Sequence, residues 1–522
     1  MRKLSKLLLT GVVALGLGLT ACNNDTPEVD TKGGTHARVT VQQAKVSGTR
    51  AVDDGQRDVV GTGEENDVTG GYLFFKANPG IGLDMVNTTP GAAATNAIWS
   101  SQVIETAPMN NVTFAILLNN RLTLNLADYS PTKTFSIDDL DNVIGASGFL
   151  MTSTVEADAN TKDIVAGISE ADAGNIANRD DETKNNFNLD VERVVAKVQV
   201  HKPEGDYSTN GVPAGTIDFD NLTYAMAGSA KESYLFRDNA GSRVMDETSK
   251  RYAGFTSAIH TLANPELQKM SDAGLNTNFN ARSFNDHAAT NSLASTAGIY
   301  FLENSTDQVV EGAGELFYNR IAYVKVYATF LPSAGQKIEN GVLVDATAAD
   351  FAAAKPEYSV SVTDEWYEAN KDKDGLNFTG APGAWMLVLN EPAGTFYLGA
   401  DGIFYYGLDA ARMAGNATAK KYVMGKMVYK TPANSQMNED RTFTEYADTR
   451  RNNIYHLTID GFAGLGENYD WTDPEDPNIP KPGDNPDEPE TPDDPVDPLK
   501  TFMRVHAKVL NWNLVNRNVT LK

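Results

Sequence analysis

Between Asp470 and Lys500 the chain carries 9 of its 22 prolines, and 11 acidic residues against 2 lysines; beyond that stretch, strand-forming sequence returns. Proline cannot donate to a sheet ladder, and a run of like charge repels itself into extended chain. Residues 470–500 can therefore neither build a sheet nor bury a core. At roughly 3.1 Å per residue in polyproline geometry, the segment spans about 95 Å when stretched. In the tail that follows, Met503, Val505, Ala507 and Val509 alternate with Arg504, His506, Lys508 and Leu510, the period-two pattern of a strand. A shorter apolar run, Trp512, Leu514, Val515, Val519 and Leu521, comes after it. A β-capable tail on a tether longer than a domain has two uses. It closes its own subunit's sheet across a flexible acidic loop, or it leaves that subunit to complete another.

The body of the chain is also β-rich. Gly71–Phe75, Asn111–Leu118, Val191–Val200, Ile321–Phe330, Gly394–Leu398 and Asn453–Ile459 are dense in β-branched and aromatic residues and are separated by Gly, Asn, Asp and Pro clusters. Clean alternation over 194–200 and 322–330 predicts antiparallel sheets with one wet face. Helical patterning is confined to short stretches at Ser136–Ile144 and Asp350–Ala354. With 522 residues and 41% hydrophobic content, the chain is long enough for several cores. The expected fold is all-β: two antiparallel β-sandwich domains in series, with the break near His201–Gly205, where a strand ends in turn chemistry.

The N-terminus reads as an export signal. Three basic residues in Met1–Lys6 precede an apolar stretch from Leu7 to Ala21, which closes on Leu19-Thr20-Ala21-Cys22. Leu-Thr-Ala-Cys resembles a bacterial lipobox, which makes Cys22 the expected site of lipidation. This is the chain's single cysteine, so an internal disulfide framework, a thiolate zinc cluster and an iron–sulfur site are excluded. A short strand follows, with Ala37, Val39 and Val41 apolar between polar neighbours. Small and polar residues then surround Arg50 in Ser47–Gln56, the composition of an exposed, protease-sensitive loop. Removal of residues 1–50, with 7 basic and 3 acidic residues, would take the formal charge from −25 to −29. Such repulsion between subunits would limit lateral bundling, an effect that salt screens.

A strand of about ten residues that fills another molecule's open groove gains main-chain ladder bonds and pockets for alternate side chains. Four or five buried apolar groups at roughly 1.5–3 kcal/mol each give on the order of 6–15 kcal/mol before the cost of association. The groove has first to be vacated. The strand at Ala37, Val39 and Val41, followed by a cleavable Arg50, offers the means, because while present it would satisfy a sheet edge.

These features together resemble the type V pilins (fimbrillins) of Bacteroidales, in particular the shaft subunit of the minor or short fimbria. The resemblance is carried by Leu-Thr-Ala-Cys22, the short strand and Gly48-Thr49-Arg50-Ala51-Val52-Asp53-Asp54-Gly55. Further matches are Gly148–Ser153, the Val191–Val200 strand, Asn319–Val326, Arg451–Ile459 running into Gly464-Leu465-Gly466, and the acidic tail. It implies two transthyretin-like β-sandwiches and export as a lipoprotein (palmitate on Cys22) to the outer membrane. It also implies removal of the leader by an Arg-specific surface protease and polymerisation by donor-strand exchange into cell-surface fimbria. The parts would be a signal peptide at 1–21, a lipidated propeptide at 22–50, sandwiches at 51–203 and 204–469, the acidic linker at 470–500 and a donor region at 501–522. By the same resemblance the cut falls between Arg50 and Ala51, with Arg38 and Arg57 as competing sites. The donor strand is Phe502, Met503, Val505, Ala507 and Val509, preferred over 512–521 because its alternation is longer. Expected partners are further copies of the chain, accessory tip and anchor subunits, the protease and an unidentified host or bacterial surface ligand in adhesion and biofilm formation. The other function weighed is a monomeric surface lipoprotein that binds glycan or protein through its sandwiches.

Enzyme chemistry finds little support. The six histidines (36, 201, 260, 287, 456 and 506) are scattered, without a His-Glu-x-x-His pattern, a Gly-x-Ser-x-Gly elbow or a phosphate-cradling loop. His456 and His506 fall on polar-phase strand positions and read as solvated. Asn370–Gly375 imitates the start of a calcium loop, but its twelfth position is Ala381, which cannot supply the closing carboxylate. Neither metal nor cofactor is expected. Trp366, Tyr367, Tyr405 and Tyr406 suit either sugar stacking or core packing, the latter being the commoner use. An acidic chain without a basic patch is not expected to bind nucleic acid.

Overall fold

The computed structural model describes residues 34–43, 65, 67–75, 81–87, 98–122, 134–136, 140–145, 148–153, 161–201, 206–227, 232–236, 282–283, 298–303, 322–372, 376–437, 443–446, 449–468 and 503–511. Strands dominate, and the helices are short: Leu140–Val143, α1 (Glu170–Gly174), Ala348–Ala352, α2 (Asp364–Asn370) and Leu408–Met413.

The N-terminal sheet contains β1 (Thr35–Gln43), β2 (Gly70–Phe75), β3 (Ile81–Asn87), β4 (Trp99–Ser101), β5 (Ile104–Thr106) and β6 (Met109–Leu118). It is completed by β7 (Met151–Ser153), β8 (Thr161–Ile164) and β9 (Asn186–Arg193). The strand order is β7-β9-β1-β4-β3-β2-β6-β8, with β5 also on β1 and β7 also on β6, so the sheet closes on itself. Closure through β7 and β6 leaves β8 as an end strand and shields the edges of the strands it joins, the usual liability of a β-sheet. Gly148 opens the strand pair that leads into β7; its φ of 103° and the close approach of the Asp67 carbonyl leave no room for a side chain.

A second, four-stranded sheet has the order β11 (Ile299–Phe301), β10 (Ala196–His201), β14 (Asn453–Phe462), β15 (Met503–Asn511). A third sheet is built on β12 (Tyr323–Pro332) and β13 (Lys426–Pro432) and carries Thr223–Ala227 and Gly215–Ile217 on β12. The second and third sheets meet through rings such as Tyr429 and Phe462, 4.9 Å apart. Between β12 and β13 the chain forms two smaller sheets, one around Ala334–Glu339 and Phe396–Leu398, the other around Tyr358–Val362 and Trp385–Leu389. Most pairings are antiparallel. The principal parallel pairs are β1 with β9 and β10 with β14.

Two expectations about the middle of the chain change. Val191–Val200 is not one strand: β9 ends at Arg193, and after Val194 and Val195 the chain enters the second sheet as β10. The switch between sheets thus lies upstream of His201–Gly205, where the sequence places turn chemistry; residues 202–205 lie outside the described residues. β10 also has no wet face, since all of Ala196–His201 is buried. Lys197 sits 2.7 Å from Glu65 on the face expected to be wet, and the His201 ring stacks on His456 at 3.9 Å. A second layer covers that face, so alternation there marks two kinds of buried environment rather than core and solvent.

Candidate assembly site

The strand around Ala37, Val39 and Val41 is β1, and it lies inside the closed sheet rather than along it. On one edge it runs parallel to β9, with Arg38 opposite Asn186, Val39 opposite Phe187 and Val41 opposite Leu189. On the other edge it runs antiparallel to β5 and β4, with His36 opposite Glu105, Ala37 opposite Ile104 and Thr40 opposite Ser100. Ala37, Val39 and Val41 are buried, at 5%, 0% and 0% exposure, in a core that includes Phe187, Leu189 and Ile104. Burying each valine is worth roughly 1.5–3 kcal/mol.

The opposite face of β1, expected to be polar and wet, is buried as well. Arg38 donates from Nε to the Asn186 side chain at 3.1 Å, and from Nη1 and Nη2 to the carbonyls of Gly174 at 3.0 Å and Asn175 at 3.1 Å. Those carbonyls end α1, which has Glu170 and Asp172 in its first turn and no basic residue in its last. Arg38 supplies the positive charge that a helix C-terminus favours. Burial, and secondarily the nearby Arg179, hold the Arg38 guanidinium below its ordinary value. Thr40 Oγ1 meets Ser100 Oγ at 3.1 Å. The backbone is gripped too: Val39 N–H donates to Ser101 Oγ at 3.1 Å, and Asn185 Nδ2 donates to the His36 carbonyl at 3.0 Å. Period-two alternation could not reveal this second buried face, because the groups that cover it lie about 140 residues away in sequence.

At the other end of the chain, among the described residues, β15 is the terminal strand of its sheet and pairs with β14 alone. Val505 lies opposite Ile459, Ala507 opposite Leu457 and Val509 opposite Tyr455 in the antiparallel register. The Met503 side chain is fully buried at 0% exposure. Cys22, Arg50, Ala51, Arg57 and Phe502 lie outside the described residues, as does the run 512–521.

Between these two strands lies a junction that sequence reasoning missed. Glu65 accepts from Lys197 Nζ at 2.7 Å and from the Tyr300 hydroxyl at 2.6 Å, while its carbonyl accepts from Arg193 Nε at 2.7 Å. Arg193 also bonds the Asn452 side chain at 3.1 Å. Burial pushes the Arg193 guanidinium down to about 10 and lowers the Lys197 ammonium, with Glu65 opposing both shifts. Beside it Arg451 pairs with Glu303 at 2.6 Å. Buried charges of this kind are tolerated only when paired, and they tie Glu65 to the second sheet.

Other candidates resolve differently. Tyr405 is fully buried, with its hydroxyl on Asp401 at 2.6 Å, and the Tyr367 ring is stacked on Trp385 at 3.7 Å. Trp366, Tyr367, Tyr405 and Tyr406 therefore form no common platform. His456, expected to be solvated, is buried at 5% exposure. Among the described residues no cluster of three or more His, Cys, Asp or Glu could hold a metal, and no helix is long and apolar enough to cross a membrane. Residues 373–375 of the calcium-like turn lie outside the described residues.

Residues 420–518, which include β13, β14 and β15, match the family described as major fimbrial subunit protein type IV, fimbrillin, C-terminal. That C-terminal region is similar to the fimbrillin family. Among solved structures, a fimbrilin from Porphyromonas gingivalis W83 is similar at a TM-score of 0.41 and 14% identity, covering 92% of this chain and 99% of that one. The tip fimbrial protein Mfa3 from Porphyromonas gingivalis, with C-terminal truncation, gives a TM-score of 0.31 and 11% identity, covering 91% and 100%. Among curated proteins no sequence matches.

Proposed function

We propose that this chain is a fimbrillin, a structural shaft subunit of a cell-surface fimbria rather than an enzyme, and that it polymerises by protease-triggered donor-strand exchange. It is exported as a precursor lipidated on Cys22 and held at the outer membrane by that lipid alone. An Arg-specific surface protease cuts between Arg50 and Ala51. β1 then departs, and Phe502, Met503, Val505, Ala507 and Val509 of a second copy fill the vacated groove. The two sandwiches at 51–203 and 204–469 form the subunit body, residues 470–500 form the tether, and accessory tip and anchor subunits end the filament.

Support comes from one observation above all. β1, encoded upstream of Arg50, is a central strand with partners on both edges and three apolar side chains in the core. Its loss leaves β9 on one side and β4 and β5 on the other without their ladder partner, a groove shaped for one strand. The test is limited trypsin digestion of the purified precursor, followed by N-terminal sequencing and a gel without boiling. A ladder of SDS-resistant oligomers with Ala51 exposed is expected, and truncation after Lys500 should leave only monomers. Ala51 exposed without a ladder would favour a monomeric surface lipoprotein that binds glycan or protein.

A further inference from the structure

The leader strand and the C-terminal strand carry tetrapeptides that differ only in which base, Arg or Lys, stands third. β1 contains His36-Ala37-Arg38-Val39, and β15 contains His506-Ala507-Lys508-Val509. We propose, on the footing of strand exchange, that the incoming strand takes β1's direction and register, with His506, Ala507, Lys508 and Val509 at the places of His36, Ala37, Arg38 and Val39. Lys508 then provides the cation for the Asn186 side chain and the Gly174 and Asn175 carbonyls. The groove thus reads its partner by charge as well as by apolar fit.

The groove's chemistry selects this alignment among its alternatives. Removing β1 strips Arg38 from three oxygen acceptors, the buried Asn186 side chain and two part-buried carbonyls at the C-terminus of α1, which has no basic residue of its own there. Leaving the buried Asn186 oxygen without a donor is costly, and a helix C-terminus favours positive charge, so the replacement strand is selected to carry a base at that position. In the proposed register two of the three buried apolar sites keep their residues: alanine at position 37, opposite Ile104, and valine at position 39, opposite Phe187. A slip of two residues one way puts Ala507 at the fully buried site of Val39, leaving a cavity, and Val505 at the tight site of Ala37. The same slip places Lys508 at position 40, away from the three oxygens. A slip of two the other way puts Asn511 at the Val39 site. A slip of one turns every side chain to the opposite face. The proposed register carries one mismatch, Asn511 at the fully buried position of Val41.

That mismatch and the charge give direct tests on full-length precursor activated by trypsin. Lys508→Glu would set a carboxylate against three oxygens, and dissociation of the joints should quicken by about 10- to 100-fold. Lys508→Arg should hold the joint at least as tightly, since its fork matches the pattern Arg38 leaves. Asn511→Val should slow dissociation.

Register is read separately by disulfide mapping in a Cys22→Ser background. Activated Glu105→Cys protein is oxidised with His506→Cys, Arg504→Cys or Lys508→Cys protein. Glu105 lies opposite His36 in the antiparallel ladder, a geometry within disulfide reach. Cross-linking with His506→Cys alone supports the proposal. Ladders that cross-link through Arg504→Cys or Lys508→Cys instead overturn the register while leaving strand exchange standing. Ladders equally stable with Lys508→Glu overturn the role of the cation. Absence of ladders from the unsubstituted protein overturns strand exchange itself, and this inference with it.

Discussion

The strands at the two ends of the described chain, β1 and β15, are each nine residues long and each alternate apolar and polar residues, yet they occupy opposite situations. β1 has neighbours on both edges and buried side chains on both faces. Among the described residues β15 has one neighbour and ends its sheet. What separates them is the number of edges they satisfy, which no property of either segment alone reveals. A strand held on one edge gains a second set of ladder bonds by moving into a groove with two. The proposed cut makes that groove available only after the precursor has folded around its leader.

The contrast is easiest to break with a buried charge. Val39→Asp in β1 places an unpaired carboxylate at a site with no exposure, and a loss of about 4–5 kcal/mol in precursor stability is expected by urea titration. Val505→Asp in β15 should shift the same midpoint far less and abolish ladders after trypsin. Equal losses at the two positions would erase the distinction between a central and a spare strand.

The junction sharpens the comparison, because Glu65 lies downstream of the proposed cut whereas Arg38 lies upstream. Glu65→Gln leaves the buried Lys197 ammonium without its carboxylate, at an expected cost of about 3–5 kcal/mol. That cost should appear in precursor and filament subunit alike. Arg38→Met removes the donor from three oxygens and should cost roughly 2–4 kcal/mol in the precursor. Filaments grown from that variant should melt as wild type, since β1 would be gone. Thermal melts of both forms check the pair.

The smallest expected effect lies far from either strand. Asp350 accepts from Lys337 at 2.7 Å and completes the capping box at Thr347, and these bonds hold its carboxyl down at about 2. A folded-state value below the unfolded value near 3.9 gives stability that is present above about pH 4 and lost as pH falls through about 2. The pair is partly exposed, so Asp350→Asn should lower stability by only about 0.5–1 kcal/mol at neutral pH. The difference from wild type should vanish in melts near pH 2, and ladder formation should be unaffected.

Much of this was legible from local pattern. Alternation located β1, β12, β14 and β15, and the proline- and acid-rich segment set β15 apart. The helix near Asp350 was also legible, although it begins two residues earlier, at Ala348. Long-range features were not legible. Arg38 reads as a solvent-facing residue until Asn186 and the end of α1 are folded over it, and His456 reads the same way until His201 stacks on it. The switch between sheets at Val194 and Val195 is silent because buried residues continue through it without a turn signal. Glu65 was overlooked since its partners, Lys197 and Tyr300, lie 132 and 235 residues away.

The most direct measurement is electron cryomicroscopy of filaments grown from trypsin-activated precursor. Strand exchange predicts that the groove between β9 and β4 holds residues 503–511 of the adjacent subunit, with chain density leading back through that neighbour's acidic tether. A groove still filled by residues 35–43, or subunits joined through other surfaces with β15 kept on its own β14, would contradict it.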